Sequence, residues 1–384
     1  MKVAVVSTGL CHVTRGVESW ARYLAQELRN QGVDATLFMG SGSPAANHDR
    51  VIGCLPRGNR VNAAISRIGL ALRGWRYGLG SPYQVEQTTF ALGLIRALKK
   101  GRYDIVHLQD SWLALILERT GKWGWHGAHT IIVNGTEDPV DFLMKFEHVQ
   151  ESSPPYFERH EGTLQGKQWF CIPNFVDARE FHPVDDKQSL RAEFGLRDDD
   201  IVVLSVGAIN TRKRVDWLIS EFGKVDDPSI RLVLRGALAG GEGSEDLVRT
   251  ALDQLGDRVV VLSELEFSRM PALYATADIF ALCSLFEIFG IVWLEAMASG
   301  VPCVGHTFPV TEWIIGDTGR CIDMEQPGLL AKTLTELAAD PSARATLGEK
   351  GRERVNRMFS QEAVTRDIIK MYQDVLRYHG SLES

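Results

Sequence analysis

The 384-residue chain is poor in cysteine and has no long apolar run. Nothing in it approaches the roughly 18 consecutive apolar residues of a membrane-spanning helix. The six cysteines, at 11, 54, 171, 283, 303 and 321, form no C-x-x-C pair. Neither a disulfide framework nor a structural zinc site is therefore expected, and the cysteines read as free buried thiols. The loop at residues 7–16 lacks G-x-G-x-x-G, which disfavours a dinucleotide cofactor. No Ser-His-Asp or Cys-His arrangement is legible. After Met1-Lys2 comes only a short apolar run at residues 3–6, too short for a secretory h-region, so a cytoplasmic location is expected. Charged residues make up 24% and apolar residues 45%. That composition is globular and, at this length, suggests two or three domains.

The net charge of −7 is unevenly spread. The first 170 residues hold 19 Lys and Arg against 15 Asp and Glu, and the remainder 23 against 34. So acidic a second half excludes general nucleic-acid binding there. An anionic ligand in that half would need locally placed cations and helix N-termini.

Strand and helix patterns alternate along the chain. Residues 2–7, 34–39, 103–108 and 130–133 read as buried parallel strands, and Trp20, Leu24 and Leu28 recur at helical spacing. The polar residues 137–168, broken by Ser152-Ser153-Pro154-Pro155, read as loop and irregular helix. A second alternation has strands at 201–206, 230–235, 258–262 and 279–283. Val215, Leu218, Ile219 and Phe222 form one helical face. From Gln326 onward the chain reads as helices, the last from about Gln361 to Tyr378. This pattern implies an α/β fold of two doubly wound, Rossmann-like parallel-sheet domains. Ligands of such sheets bind beyond the carboxyl ends of the strands, and a cleft between the domains is the natural place.

The most informative stretch is Glu287-Ile288-Phe289-Gly290-Ile291-Val292-Trp293-Leu294-Glu295-Ala296-Met297-Ala298-Ser299-Gly300-Val301-Pro302. It follows a strand and opens a helix near Gly290. The first N–H groups of a helix lack intrahelical partners and suit a phosphate, and glycine lets backbone approach it. Glu295, one to two turns in, can accept two ribose hydroxyls, and Glu287 can hold sugar hydroxyls. Standing alone, both glutamates would merely complement a helix N-terminus.

As a whole the stretch resembles the E-x7-E signature of retaining GT-B glycosyltransferases of glycosyltransferase family 4, with Ile288 where glycine is usual. Val206-Gly207-Ala208-Ile209-Asn210-Thr211-Arg212-Lys213 resembles the family's V-G-R-L-x-x-x-K. Leu273-Tyr274-Ala275-Thr276-Ala277-Asp278 is similar to its L-Y-x-x-A-D, and Ile172-Pro173-Asn174-Phe175-Val176-Asp177 to its I-P-N-G-V-D. Arg15-Gly16-Val17-Glu18 sits where the family has G-G-x-E. The resemblance spans most of the chain and is strongest at 200–305.

It implies a GT-B fold with an acceptor-binding domain at 1–175, a nucleotide-sugar domain at 176–358, and a last helix at 359–384 crossing back to the first domain. It implies retaining transfer from a nucleotide-sugar, with uridine guessed as the base, to a hydroxyl of a small-molecule, lipid-linked or glycan acceptor. Neither metal nor cofactor is expected. Lys213 and Glu287 are the implied catalytic residues. The donor would lie on Gly16, Gly207, Arg212, Lys213, Glu287, Phe289, Gly290, Ile291, Val292 and Glu295. His12, Arg15 and Asn134 would face the acceptor or sugar. Lys213 has its own rationale, since an aimed cation stabilises the charge that builds on a departing diphosphate.

Three departures stand out. Ala208 replaces the arginine that would grip the diphosphate, leaving that role to Arg212, Arg214 or Arg15. Asn134-Gly135 stands where many members carry His, and Asn cannot act as an acid or base near neutral pH. Pro309 replaces a glycine three residues before Glu312. A pseudoglycosyltransferase or phosphorylase-like reaction, or a non-catalytic nucleotide-sugar-binding subunit, are the alternatives.

Other segments read as follows. Asp198-Asp199-Asp200 precedes a strand and reads as a solvated turn. Residues 56–83 carry Arg57, Arg60, Arg67, Arg73 and Arg76 and no acid. Val61, Ala64, Ile65, Ile68 and Leu72 share one helical face there. That helix packs on the first sheet or makes peripheral contact with an anionic membrane. Trp112, Trp123 and Trp125 form a sugar-stacking wall or aromatic core.

Overall fold

The computed structural model describes residues 1–12, 16–44, 47–135, 138–160, 163, 167–238 and 243–383. Arg15 lies outside them. The chain forms two compact units, Met1–Asn174 with Val364–Ser384, and Phe175–Ala363.

The first unit alternates β1 (Lys2–Ser7), α1 (Gly16–Asn30), β2 (Asp34–Met39), β3 (Arg50–Val51), α2 (Arg60–Ala71), α3 (Pro82–Gly101), β4 (Ile105–Leu108) and α4 (Ser111–Lys122). It continues with β5 (His129–Asn134), α5 (Val140–Leu143), β6 (His148–Glu151), α6 (Pro154–His160) and β7 (Gln168–Cys171). All seven strands are parallel, in the order β3-β2-β1-β4-β5-β6-β7. Val3 to Val6 are buried on both faces, as an internal parallel strand with helices above and below requires. Pro82 opens α3, and the Ser81 side chain caps it by accepting from the Gln84 N–H.

The second unit contains α7 (Lys187–Glu193), β8 (Ile201–Val206), α8 (Val215–Phe222), β9 (Ile230–Arg235), α9 (Ser244–Leu255) and β10 (Val259–Leu262). Then come α10 (Met270–Thr276), β11 (Ile279–Ala281), α11 (Ile291–Ala298), β12 (Cys303–His306), α12 (Pro309–Ile315) and β13 (Gly319–Ile322). The strand order is β10-β9-β8-β11-β12-β13, again all parallel. The predicted face of α8 is buried in the core, with Leu218, Ile219 and Phe222 at 1% exposure or less. Two long helices follow α13 (Leu329–Ala339): α14 (Pro341–Met358) and α15 (Gln361–Glu383). From Val364 onward α15 belongs to the first unit, where Val364, Ile368, Met371, Tyr372 and Val375 are buried.

Several expectations are corrected. Residues 137–168 hold a regular parallel strand, β6, besides short helices. The strand is disguised because His148, Gln150 and Glu151 are polar yet buried. Helix α2 does not pack through its apolar face. Asn62, Ser66 and Gly69 are its buried residues, while Val61, Ile68 and the adjoining Leu72 are 56%, 61% and 76% exposed. Small residues on that face allow close backbone packing, and a Cβ on Gly69 would sit 1.9 Å from the Leu79 carbonyl oxygen. Asp200 is not solvated. It is buried and paired with Arg231 at 2.7 Å, although Asp198 and Asp199 are exposed. Of the six free thiols only Cys283 and Cys303 are buried, and Cys11 and Cys171 are exposed.

Candidate functional site

In the second unit the strand order reverses between β8 and β11, which makes the carboxyl ends of those strands the switch point. After β8 the chain turns through Gly207-Ala208-Ile209-Asn210 into a short 3-10 turn at Thr211–Lys213. The Asn210 side chain caps that turn by accepting from the Lys213 N–H at 2.9 Å. Lys213 is thereby aimed across the switch point, where its Nζ donates to Glu287 Oε1 at 2.5 Å. Glu287 lies on the loop after β11 and is 9% exposed.

Gly290 ends that loop at φ +78° and caps α11. A Cβ there would be strained and would meet the Trp293 ring at 2.7 Å. Phe289 is buried, and Ile291 and Val292 open the helix half-buried. The first-turn N–H groups of α11 therefore start beside the Lys213–Glu287 pair. An ammonium, a carboxylate and a helix N-terminus together can hold an anion and the hydroxyls around it. Glu295, in the second turn, is 8% exposed, and burial pushes its carboxyl up to about 7 against a smaller opposing effect of the Tyr274 hydroxyl.

The neighbouring arginines are placed unequally. Arg212 is exposed. Arg214 is turned aside, its guanidinium stacked over Trp217 at 4.7 Å and donating to the Met324 carbonyl. Arg235, at the end of β9, lines the same small cavity as Gly207, Ala208 and Lys213. Its guanidinium donates to the carbonyls of Leu265 and Ser263 at 2.9 and 3.3 Å and keeps its charge unneutralised by them. The sequence reading missed Arg235. Its one sequence signal is a charged residue closing a strand, and only the fold brings it beside Ala208. Pro309 takes the first position of α12, where its missing N–H costs nothing, and Glu312 stands exposed in that helix's first turn.

The first unit has its own switch point, between β1 and β4. Asp110, just past β4, accepts from the Thr8 N–H and Oγ1 at 2.8 and 2.9 Å and from Gln87 at 2.9 Å, locking the two strand ends together. His12 lies in the loop after β1 between Ser41 Oγ, 2.9 Å from Nδ1, and Glu86 Oε2, 3.0 Å from Nε2. Glu86 is itself buried and ion-paired with Arg57, so hydrogen bonds hold its carboxyl below the usual range despite burial. Gly16 is the first residue of α1.

Asn134 ends β5 and is buried, donating from Nδ2 to both oxygens of Glu151 at 3.0 and 3.1 Å and accepting from the Asp138 N–H. Glu151 ends β6, is almost wholly buried, and is pushed up to about 7 by burial. Sequence patterning does not reveal this acid, because it ends a strand whose buried residues are mostly polar. It places a titratable group beside Asn134, which has none. Trp123 and Trp125 are 66% and 50% exposed and follow α4 on the way to the start of β5, at the opposite edge of the sheet from these strand ends. They are neither core nor part of this polar edge. Trp112 is fixed by donating to Thr88 Oγ1.

Comparison with known proteins bears on the family and the fold. Residues 14–179 match the model of Glycosyltransferase Family 4 and residues 186–354 that of Glycosyl transferases group 1. The chain is 30% identical over 261 residues to N-acetyl-alpha-D-glucosaminyl L-malate synthase of Bacillus anthracis, covering 66% of this chain and 67% of that one. It is 30% identical over 319 residues to D-inositol 3-phosphate glycosyltransferase of Segniliparus rotundus, covering 75% and 70%. Among solved structures, HepE of Anabaena in complex with UDP-glucose superposes at TM-score 0.74 with 16% identity, over 97% of this chain and 100% of that one. Sucrose-phosphate synthase of Thermosynechococcus elongatus gives 0.73 with 20% identity, over 98% and 99%. Two doubly wound parallel-sheet units, the motif at α11 and these matches together show a chain of GT-B fold that belongs to glycosyltransferase family 4.

Proposed function

We propose that the protein is a retaining glycosyltransferase that moves a sugar from a nucleoside diphosphate-sugar to an acceptor hydroxyl in the cytoplasm, without a catalytic metal. The observation that carries this reading is the Lys213–Glu287 pair at 2.5 Å beside the N-terminus of α11. In this reading the diphosphate meets Lys213, Arg235 and the backbone from Phe289 to Val292. Glu295 accepts the ribose hydroxyls and Glu287 a sugar hydroxyl. The anomeric C–O bond breaks, the diphosphate leaves, and the acceptor oxygen bonds to the same face. Its proton passes to the departing phosphate oxygen. Lys213 acts on the leaving group because negative charge there grows toward the transition state.

The acceptor side is the polar edge of the first unit. Asn134 and Glu151 would hold acceptor or sugar hydroxyls, and His12 is positioned by Glu86. The relatives named above act on malate and inositol phosphate by their names, and an anionic polyol or hydroxy acid fits a first unit that is net positive. Residues 56–83 extend the proposal to peripheral contact with an anionic lipid surface. Arg60, Arg67, Arg73 and Arg76 accompany Leu70, Leu72, Trp75 and Tyr77, apolar side chains left exposed in the free chain.

The test is thermal shift with UDP, GDP, TDP and ADP, followed by donor hydrolysis with the matching sugars. Stabilisation by one nucleotide and slow release of its sugar support the transferase. Stabilisation without sugar release or transfer would instead indicate a non-catalytic subunit. No stabilisation by any of the four would defeat the donor site as drawn.

A further inference from the structure

Three histidines from three distant parts of the chain meet at the edge of the first sheet where β5 and β6 begin. His129 is the first residue of β5 and His148 the first of β6. The register pairs Ile131 with His148, so His129 and His148 share a face. His379 lies on α15, one and two turns beyond Val375 and Tyr372, on the stripe packed against that face. Tyr372 is anchored there by its hydroxyl, 2.6 Å from Nδ1 of the buried His107.

We infer that His129, His148 and His379 form a binding site for a borderline divalent metal ion of the zinc class, which staples α15 to the sheet of the first unit. Nε2 of His148 lies 2.9 Å from Nε2 of His379. One nitrogen from each of the three rings falls within 4.8 Å of the others. Ligand nitrogens of a tetrahedral zinc at 2.0–2.1 Å stand about 3.3 Å apart, so the widest gap must close by up to about 1.5 Å while the His148–His379 pair opens slightly. The His129 and His379 rings stack at 3.8 Å with 17° between their planes. His129 must therefore turn about its side-chain bonds to point a lone pair at the ion. Glu147, whose Oε1 is 3.9 Å from His379 Nε2, can complete a His3Glu set. An adjoining cleft of about 210 Å³, lined in part by Lys122, His126 and Glu147, leads to solvent and supplies an entry path. All-imidazole and carboxylate donors suit Zn2+, Co2+ or Ni2+ better than the oxygen-seeking Mg2+ or Ca2+.

The site is separate from the polar edge of this unit, since it sits where β5 and β6 start rather than where they end. Its role is structural. No ligand spacing in the sequence announces it, because the second and third histidines are 231 residues apart.

The metal-stripped 384-residue chain should be titrated with Zn2+ by calorimetry and with Co2+ by visible absorption. The expected result is one equivalent of Zn2+, an intense tetrahedral Co2+ spectrum, and a rise in unfolding temperature on loading. His379→Ala and His148→Asn should each weaken binding by at least roughly 100-fold, since losing even an outer partner of a ligand costs about 10- to 100-fold. His182→Gln, an exposed histidine of the other unit, should change nothing. His379 is partly exposed, so His379→Ala should fold, which circular dichroism checks. Unchanged binding in both variants, only weak multi-site binding in the wild type, or an octahedral Co2+ spectrum would overturn the inference. None of these outcomes depends on transferase activity.

Discussion

At the scale of single residues, the donor half of the proposal separates two roles that one assay can confuse. In that proposal Lys213 faces charge that grows during reaction, whereas Glu295 faces hydroxyls present throughout. A charge-assisted hydrogen bond is worth about 1.5–3 kcal/mol, or roughly 10- to 100-fold. Lys213→Ala should lower kcat by about that factor with a smaller change in nucleotide affinity, and Glu295→Ala should do the reverse. Steady-state kinetics beside nucleotide titration checks this, and equal effects on both parameters would sink the assignment. Glu295 also carries a pH signature. Its carboxyl is raised by burial from 4.5 to about 7. The unfolded chain therefore ionises first, and free Glu295 costs stability progressively as pH rises from about 4.5, levelling off above about 7. The full cost is on the order of 3 kcal/mol. Glu295→Gln should therefore unfold at a temperature that climbs relative to the wild type between pH 5 and pH 8. Hydroxyls donating to the carboxylate favour its ionised form, so the matching nucleotide should narrow the gap. A gap independent of pH would show that this carboxyl is already ionised in the free protein.

At the scale of elements, what was legible followed hydrophobic periodicity. β1 and β8 are apolar, β-branched-rich runs, β2 and β9 carry mostly apolar residues, and α8 and α15 bury the stripes their sequences display. The N-terminus of α11 was legible because glycine at φ +78° and the flanking glutamates mark it together. β6 was hidden because three of its four buried residues, His148, Gln150 and Glu151, are polar. Arg235 and Glu151 became candidates only once the strand order put them beside Ala208 and Asn134. Helix α2 misled in the opposite way, since its apolar stripe is real and faces outward. That stripe gives a direct test of lipid contact. Wild-type protein should sediment with anionic vesicles at low salt and much less with neutral ones, because the attraction is worth roughly 1 kcal/mol per basic residue at the surface. Leu70→Ser with Leu72→Ser should weaken binding without altering nucleotide affinity. No sedimentation with anionic vesicles would leave α2 an exposed helix without this role.

At the scale of the whole molecule, the last helix decides whether the first unit can stand. Val364, Ile368, Met371, Tyr372 and Val375 are each 1% exposed or less, all on one stripe of α15. Burying a large apolar side chain is worth about 1.5–3 kcal/mol, so five of them contribute on the order of 10 kcal/mol. That equals the entire net stability of a typical domain, about 5–15 kcal/mol. Some 190 residues separate Asn174 from Val364, yet the first unit comprises both segments. Ending the chain after Ala363 should therefore unfold the first unit while leaving the second able to bind nucleotide, because Lys213, Arg235, Glu287 and Glu295 all belong to Phe175–Ala363. Calorimetry of the truncated chain should show only the transition that nucleotide raises. A milder version is Tyr372→Phe, which deletes the 2.6 Å contact with buried His107 and keeps the ring. Leaving that imidazole nitrogen unsatisfied should cost about 1–3 kcal/mol in the first unit alone. If the truncated chain instead retained two transitions, the apolar stripe of α15 would be a covering on a unit already stable without it.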